Sequence, residues 1–383
     1  MNYSLFYHYL YRLSGENDNF ANMRKALPVI SLLFLTLISW AQERKVTLLF
    51  AGDAMQHQSQ INTAKTKDGY DYSDCFGQVK YLIDNEYDLA VVNLEVTLAG
   101  KPYTGYPRFG APDEYAYALK DLGFNVFLTA NNHSADRKKV GVERTISVLD
   151  SMKVKHTGTF ADSLKRELYY PLMMIKNGIR IAMLNYTYDT NGLPVYPPNI
   201  VNLIDKKQIY EDIRSARQMK ADIIIANMHW GYEYKLKPSK EQIELANFLV
   251  DNGVRLVVGS HSHVVQPVEI RKDEEGNVNA IVVYSLGNFV SGMKPANTTG
   301  GMLFNVGISK DGDNPVKIDT YDYSLVWTHK KIKDEKITGY KLLPVDKYYN
   351  DEGLKTLGWE YYSVMKSFTD TAKKTIESMW EKE

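Results

Sequence analysis

Cysteine is almost absent from this sequence, since Cys75 is the only one among 383 residues. A single thiol excludes an internal disulfide framework and a metal site built from cysteines. Any metal ion must therefore be held by His, Asp, Glu or Asn side chains. We interpret Cys75 itself as a small buried apolar residue, which is the usual role of a free cysteine.

The sequence also lacks an excess of charge of either sign. Lys and Arg together number 46, as do Asp and Glu, so the formal net charge is zero. General polyanion binders need a strongly basic face, and we therefore predict that the protein does not bind nucleic acid. The overall balance leaves room for a locally charged cleft.

The apolar run over residues 26–40 is too short to span a bilayer comfortably, and a basic segment at residues 23–25 precedes it. This order is typical of a secretory signal. We expect synthesis to start at Met23 and cleavage to follow Ala41, which would make the mature protein extracytoplasmic, either periplasmic or secreted. An uncleaved membrane anchor is the alternative, because Trp40 is unusual beside a cleavage site.

Short apolar runs alternate with amphipathic stretches along the chain, which predicts βαβ units and an α/β fold with a largely parallel sheet. Strands are predicted over residues 46–51, 89–93, 124–129, 179–186, 222–228, 254–259, 280–286 and 302–308. Helices are predicted over residues 74–86, 113–121, 137–152, 206–220, 239–252 and 352–381. We expect a main domain over residues 42–310, and a C-terminal extension over 311–383 that packs on it.

Polar side chains follow the first two predicted strands, where ligands bind in parallel sheets. Asp53 comes after Gly52, whose lack of a side chain would let the backbone turn and aim the carboxylate at a cleft. Alternation places Asn93 and Glu95 on one face of the second strand. The Glu95 carboxylate could bridge two metal ions. An ordinary turn and a solvated glutamate are the alternatives at these positions.

The third predicted strand is followed by Asn132 and His133, which offer an amide oxygen as a metal ligand beside an acid–base group. Asp136 lies three residues further on and could orient the His133 ring. The alternative is that these polar residues only cap the next helix.

Histidines are concentrated at the ends of strands, which favours a metal centre over scattered structural roles. On an extended backbone, the spacing of His261 and His263 would point both rings to the same side. Five of the eight histidines take part, namely His57, His133, His229, His261 and His263.

Taken together, these motifs resemble the CapA (poly-γ-glutamate capsule synthesis) family of the calcineurin-like metallophosphoesterase superfamily. The resemblance covers roughly residues 45–310 and implies a four-layer α-β-β-α sandwich of the metallophosphoesterase type. Its motifs are Gly52-Asp53, Asn93-Leu94-Glu95, Ala130-Asn131-Asn132-His133 with Asp136, Thr187-Tyr188 with Asn191-Gly192, His229-Trp230-Gly231 with Glu233, Gly259-x-His261-x-His263, Gln266 and Ser285-Leu286-Gly287-Asn288-Phe289.

The resemblance implies a centre with two divalent ions, which Mn, Fe or Zn would suit. Asp53 and His263 would hold one ion, and Glu95 would bridge the pair. His133 would be the general acid, oriented by Asp136. The second ion would be held by Asn132, His229 and His261.

Two departures from the superfamily pattern concern the first ion. Met55 stands where the superfamily has a histidine, and His57 could replace that ligand only if the turn bends it back. Glu95 stands where the superfamily uses an aspartate. A centre with one ion is therefore a second hypothesis.

For function, the leading hypothesis is an exported hydrolase that acts on a phosphoester or related bond in capsule or envelope polymer metabolism. Its substrate would be a small or polymeric anion, with a membrane-bound capsule synthesis complex as a partner. The alternatives are a non-catalytic accessory protein that binds a γ-glutamyl polymer or an envelope polysaccharide, and a binding protein whose site has decayed. The predicted substrate-binding residues are Asn93, Glu233, Asn191, Gln266 and Asn288.

Overall fold

A computed structural model describes residues 43–84 and 87–380. The predicted signal region, residues 1–41, lies outside the described residues, so the start at Met23 and the cleavage remain predictions. Lys45–Ser309 and the chain from Val316 onward form one compact unit, and the described part of a second unit consists of residues 43, 44 and Lys310–Pro315. Among the described helices, none has both the length and the apolar composition needed to cross a membrane.

Strands and helices alternate along most of the chain. The strands are β1 (Arg44–Ala54), β2 (Leu89–Leu94), β3 (Val126–Leu128), β4 (Lys155–Thr157), β5 (Thr159–Phe160), β6 (Leu172–Lys176), β7 (Ile179–Thr187), β8 (Ile200–Val201), β9 (Ile223–His229), β10 (Leu256–Ser260), β11 (Val268–Lys272), β12 (Val278–Val283), β13 (Asn288–Val290), β14 (Gly300–Lys310), β15 (Lys317–Lys333) and β16 (Lys336–Pro344). The helices are α1 (Gln58–Ala64), α2 (Ser73–Phe76), α3 (Asp113–Asp121), α4 (Lys138–Ser151), α5 (Ser163–Tyr169), α6 (Lys206–Gln218), α7 (Lys240–Asp251), α8 (Val345–Tyr348) and α9 (Asp351–Glu377).

Most of the strands form two large sheets. The first sheet has the order β16-β15-β14-β1-β2-β3-β4, with β13 also paired to β1, and the second has the order β11-β12-β10-β9-β7-β6. The strands from β1 to β4 pair in parallel, as do β7, β9, β10 and β12, while β6, β11, β15 and β16 pair antiparallel. The predicted parallel order is thus present at the centre of two sheets.

The two sheets face each other across one apolar layer. Leu48 and Val91 of the first sheet share a buried cluster with Ile225 and Val258 of the second. Side chains alternate along a strand, so the residues next to these in sequence point to the outer faces. The inner faces therefore build the central core, as in other sheet sandwiches.

Helices cover both outer faces. Leu49 of β1 packs in one cluster with Tyr115 of α3, and Val257 of β10 packs in another with Ile213 of α6. The resulting order of layers is helix, sheet, sheet, helix. The predicted four-layer α-β-β-α sandwich is confirmed.

The helix predicted over residues 74–86 is wrong. The chain forms the short helix α2 there, followed by a single 3-10 turn at Lys80–Leu82. Phe76, Val79 and Ile83 are three and four residues apart, the spacing of a helix, and all three are buried. Two short turns bury these side chains as well as one continuous helix would, so the spacing alone did not predict the structure.

The C-terminal part contributes to the same core. Strands β15 and β16 extend the first sheet, and Phe368 and Ala372 of α9 belong to the cluster between the sheets. The polar sequence of β15 hides it from pattern analysis, because much of the strand is only half-buried. The domain boundary at residue 310 remains a prediction.

Candidate metal centre

The carboxyl ends of the central parallel strands bring four predicted ligands together. Asp53 lies near the end of β1, Glu95 follows β2, His229 ends β9 and His261 follows β10. All four side chains are buried. Strands of a parallel sheet end at a common edge, so residues far apart in sequence meet there.

Gly52 lies where the backbone of β1 comes very close to the backbone at Gly287, and it does not form the turn that the sequence suggested. Its φ is not positive, and it lies within β1. A Cβ at this position would lie 2.0 Å from the Gly287 carbonyl oxygen, the same oxygen that accepts a hydrogen bond from the Asp53 amide. The absence of a side chain thus lets β1 lie against the residue 287 turn, which fixes the position of Asp53.

We expect Gly52→Ala to destabilise the protein by about 1–3 kcal/mol or more, because backbone must move to admit the methyl group. Denaturant unfolding measures this effect. Gly339→Ala is the matched control, since its nearest neighbour is the flexible Lys331 side chain at 3.3 Å. Equal stability of the two variants would contradict the close-approach explanation.

Asp53 is held by two hydrogen bonds at the floor of the site. The Asn93 amide Nδ2 donates to Asp53 Oδ1 at 2.7 Å, and the His261 backbone N–H donates to Asp53 Oδ2 at 3.2 Å. The Asn131 amide, which the sequence did not single out as a site residue, donates to the Leu94 carbonyl at 2.9 Å. These amides link the loops that follow β1, β2 and β3.

Donor atoms of three chain segments converge on one side of Glu95. His229 Nε2 lies 2.8 Å from Asn132 Oδ1 and 3.6 Å from Glu95 Oε1. The His229 and His261 ring centroids are 4.7 Å apart. Two imidazoles, one amide oxygen and one carboxylate thus lie close together, a donor set that suits a transition metal.

On the other side of Glu95 lies His263, whose Nδ1 is 3.3 Å from Asp53 Oδ2 and 3.0 Å from Asn288 Oδ1. The predicted extended backbone at His261 and His263 is wrong, because their φ values are 93° and 58°. Both residues adopt the left-handed region, which is uncommon for residues with a side chain and often marks functional loops. The two rings nevertheless face the same site, with centroids 6.0 Å apart.

Potential ligand atoms within 4.8 Å of one another define three groups in the described part of the chain. Glu95, His229 and His261 form the first group, and Asp53, Glu95 and His263 form the second. The third group adds Glu233 to His261 and His263. Glu95 is common to the first two groups, the arrangement expected of a ligand shared by two ions.

Glu95 gives the clearest indication that the donor set fits a cation. Both of its carboxylate oxygens are buried, and within the described residues neither has a hydrogen-bond partner. Burial raises the pKa of Glu95 well above its usual range, and the charge of Asp53 raises it further. Buried unpaired charge is costly, and a divalent ion between these carboxylates would remove that cost. The donor set fits a metal.

Burial also affects the protonation of the three histidines in the ligand groups. Burial lowers the pKa of His261 to about 3, with His263 contributing. Burial also lowers the pKa of His229 well below its usual value, helped by the charge of His261. At His263 burial acts in the same direction, but the hydrogen bond and charge of Asp53 outweigh it, so the pKa is raised. Neutral imidazoles are the form that binds metal.

His133 and Asp136 form a hydrogen-bonded pair at the edge of this cluster. His133 Nδ1 lies 2.7 Å from Asp136 Oδ2, which also accepts a hydrogen bond from the Phe109 amide at 2.6 Å. His133 Nε2 is 4.0 Å from Glu95 Oε1, on the side of the candidate ligands. Asp136 therefore orients the ring so that Nε2 faces the cluster.

The structure does not bring His57 into any of the three ligand groups. Its Nδ1 accepts a hydrogen bond from the Gly292 amide at 3.1 Å, and its ring packs edge-on against Phe109. Burial lowers the pKa of His57 to about 4, a tendency that the hydrogen bond with Gln60 opposes. Met55 is buried and belongs to the core on the outer face of the first sheet. His57 thus lies beside the cluster, and its role as a ligand remains a prediction.

The predicted substrate-binding residues fall into two sets. Asn191 and Glu233 line the open cleft above the cluster. Asn93 and Asn288 lie beneath it, bonded to Asp53 and His263. Gln266 is fully buried away from the cleft, where its amide donates to the carbonyl oxygens of Lys235 and Lys237. Asn93, Asn288 and Gln266 therefore hold other parts of the site in place, and the structure gives them no contact with the open cleft.

The cleft has a volume of about 750 Å³, and sequence analysis missed part of its wall. Tyr188, from the Thr187-Tyr188 motif, does not line the cleft but packs against the ligand cluster, with its ring 4.4 Å from the His261 ring. Burial raises the pKa of Tyr188 to about 12, with Glu233 contributing. Exposed aromatic and basic side chains carry no motif, so only the fold reveals them. The additional residues that line the cleft include Tyr106, Arg108, Phe109, Tyr234 and Lys294.

Comparison with known proteins bears on these features. The chain is 28% identical to the capsule biosynthesis protein CapA of Bacillus anthracis over 296 residues, which cover 69% of this chain and 67% of that protein. It is also 28% identical to the PGA biosynthesis protein CapA of Bacillus subtilis, over 55% of this chain and 53% of that protein. The chain thus spans about two thirds of one relative and about half of the other.

Among solved structures, the chain is similar to a 5'-nucleotidase precursor from Thermus thermophilus, with 13% identity and a TM-score of 0.46 over 86% of this chain and 59% of that chain. The family described as bacterial capsule synthesis protein PGA_cap matches residues 47–293, which hold every candidate ligand described above. That match covers more than half of the sequence and confirms the resemblance in its motifs. The chain belongs to the PGA_cap family of bacterial capsule synthesis proteins.

Proposed function

We propose that this protein is an exported, metal-dependent hydrolase that cleaves a phosphoester or related bond in capsule or envelope polymer metabolism. The single observation that carries the proposal is Glu95, a buried carboxylate that has no hydrogen-bond partner among residues 43–84 and 87–380 and that belongs to two ligand groups. A side chain in this state has no evident structural role, because burying it without a cation only destabilises the fold.

The ligand groups support a centre with two ions. Asp53 and His263 would hold the first ion, with Glu95 as the shared ligand. The donors are imidazole nitrogen and carboxylate or amide oxygen, which suit Mn, Fe or Zn. The second ion would be held by Asn132, His229 and His261.

When bound, such ions would polarise an oxygen of the substrate and lower the pKa of a water molecule near the bond to be broken. The protein contributes the remaining groups. The contact of His133 Nδ1 with Asp136 Oδ2 turns Nε2 toward the candidate ligands. With both ring nitrogens protonated, His133 would give the Nε2 proton to the leaving oxygen as a general acid and would become neutral, with the Nδ1 proton still bonded to Asp136. Such a step contributes about 10²–10⁴-fold in rate.

The names of the relatives, which refer to capsule and PGA biosynthesis, support a substrate and a setting in envelope polymer metabolism. We propose that the substrate is a small or polymeric anion linked to poly-γ-glutamate or another envelope polymer. A membrane-bound capsule synthesis complex is the proposed partner, and export by the signal at residues 23–41 would bring the protein to it. Arg108 and Lys294 at the cleft would attract such an anion.

A non-catalytic accessory role is the second candidate, and Met55 is the observation that favours it. Met55 occupies the position of a superfamily ligand, yet it packs into the core and offers no nitrogen or oxygen side-chain donor. The relatives are also named for biosynthesis, not for hydrolysis. In this role the cleft would bind a γ-glutamyl polymer or a polysaccharide without cleaving it.

Metal removal tests the hydrolase. We expect the protein stripped with EDTA to lose turnover of bis(p-nitrophenyl) phosphate, and added Mn, Fe or Zn to restore it, because the metal ligands persist in the folded protein. His261→Ala should not recover with any metal, since one ligand is missing. Full turnover by the stripped protein would contradict the mechanism. Polymer binding without turnover under any metal would favour the accessory role.

A further inference from the structure

Two further cavities continue from the cleft along one surface loop. A cavity of about 470 Å³ shares Tyr106, Pro107 and Arg108 with the cleft. A third cavity of about 730 Å³ adjoins the second at Gln58 and is lined by Lys101, Pro102 and Tyr103. The segment 101–108 therefore runs past all three cavities, with residues 101–103 at the third, 104–108 at the second and 106–108 also at the cleft. We call the second and third cavities together the basic groove.

Positive charge is concentrated in the basic groove, although the whole chain is neutral. The acidic residues that line it are Asp68 and Asp136, and Asp136 is buried and engaged with His133. This local excess has the sign that attracts an anionic ligand. The basic side chains are Lys65, Lys67, Lys101, Arg108, Arg137 and Lys138.

In the part of the chain that the structure describes, no carboxylate forms an ion pair with the lysines of the basic groove. Within residues 43–84 and 87–380, no ion pair involves Lys65, Lys67 or Lys101, and all three side chains are exposed. Arg137 donates a hydrogen bond to the Pro102 carbonyl oxygen at 2.7 Å, which supports the loop and uses no acidic group. The charges are therefore free to pair with a ligand.

The loop that separates the cavities has a defined shape. Thr104 and Gly110 exchange backbone hydrogen bonds of 2.9 and 2.8 Å, and the Thr104 hydroxyl donates to the Arg108 carbonyl at 2.6 Å. The Tyr103 ring packs edge-on against Tyr70 at 5.3 Å. A loop held in this way presents its charges at fixed positions, which lowers the entropy cost of binding an extended ligand.

We propose that the basic groove binds a linear polycarboxylate chain and leads it into the cleft at the metal centre. The binding of a polycarboxylate in the basic groove does not depend on the proposed function. The second part of the inference, that the bound chain enters the cleft, rests on the proposed function. Lysines at Lys65, Lys67 and Lys101 are single flexible charges, which suit carboxylates spaced along a chain. A nucleic acid would need a more basic protein than this neutral one.

The test compares two triple variants of the full metal-loaded chain. The groove variant carries Lys65→Gln, Lys67→Gln and Lys101→Gln. Its affinity for fluorescein-labelled long-chain polyglutamate, measured by anisotropy at low salt, should fall about tenfold, since each exposed ion pair contributes modestly. Triglutamate should bind the wild type more weakly than the long chain, because it cannot span the groove. Equal melting temperatures and metal contents verify that the variant is folded.

The matched control carries Lys207→Gln, Lys355→Gln and Lys374→Gln, three exposed lysines on α6 and α9 that line neither cavity. It should bind polyglutamate within about twofold of the wild type. Unchanged affinity of the groove variant, or an equal loss in the control, would overturn the proposal. Oligodeoxythymidylate binding as tight as polyglutamate would overturn the ligand class. The hydrolase proposal is tested separately, by metal content and turnover. The comparison of polyglutamate affinities between the two variants does not depend on either quantity.

Discussion

Glu95→Gln should empty the metal centre and abolish turnover. The substitution keeps the shape of the side chain but removes the negative charge that both ligand groups share. Elemental analysis of the purified variant should find little bound metal, and turnover of bis(p-nitrophenyl) phosphate should fall to background. Without metal, the variant should be more stable than the wild type at neutral pH, because the raised pKa of Glu95 means that the wild type must bind a proton there on folding and glutamine needs none.

Added metal should then raise the stability of the wild type alone. Metal that binds the folded state alone stabilises it by about 3 kcal/mol at a concentration of about a hundred times Kd. The wild type should gain this stability, and Glu95→Gln should not. Glu95→Asp is the control, because the superfamily uses aspartate at this position, and it should retain part of the metal. Full metal occupancy in Glu95→Gln would refute the bridging role.

His133→Ala should lower kcat by about 10²–10⁴-fold while the protein keeps its metal. His133 contacts Asp136, and its Nε2 points toward the cluster at 4.0 Å from Glu95, so it can lose its acid function without loss of the ligands. The loss should be largest for substrates with a poor leaving group, because p-nitrophenolate leaves without a proton. Steady-state kinetics with alkyl and nitrophenyl phosphodiesters measures the difference.

Asp136→Asn separates positioning from acid catalysis. The Phe109 amide and the His133 ring both bond to Asp136 Oδ2, so the amide variant should keep the fold but misorient the ring or its proton. We expect a smaller loss of kcat than in His133→Ala, again with the metal retained.

For the His133→Ala variant, an equal loss of kcat with the alkyl and the nitrophenyl leaving groups would contradict the role of His133 as a general acid.

Much of the fold could be predicted from pattern alone. The helix over 113–121 agrees with α3 in both bounds, and the strand over 89–93 differs from β2 by one residue. The helix has a clear apolar periodicity, and the strand is a short continuous apolar run, as a strand buried on both faces should be. The convergence of Asp53, Glu95 and His229 was also predictable, because parallel strands place their carboxyl ends at one edge.

Other features depended on tertiary contacts that no local pattern records. The left-handed backbone of His261 and His263 contradicts the extended prediction, since packing in the site overrides the local preference of histidine. The role of Gly52 depends on the carbonyl of Gly287, which lies far along the chain. The position of His57 depends on the Gly292 amide in the same way.

We infer that the buried cluster around Glu95 is a metal centre with two ions. Anomalous diffraction from crystals of the protein grown with Mn tests it most directly. We predict two adjacent anomalous peaks, one between Asp53 and His263 and one between His229 and His261, with the Glu95 carboxylate between them. Crystals that contain Mn and show no peak at these side chains would contradict the account.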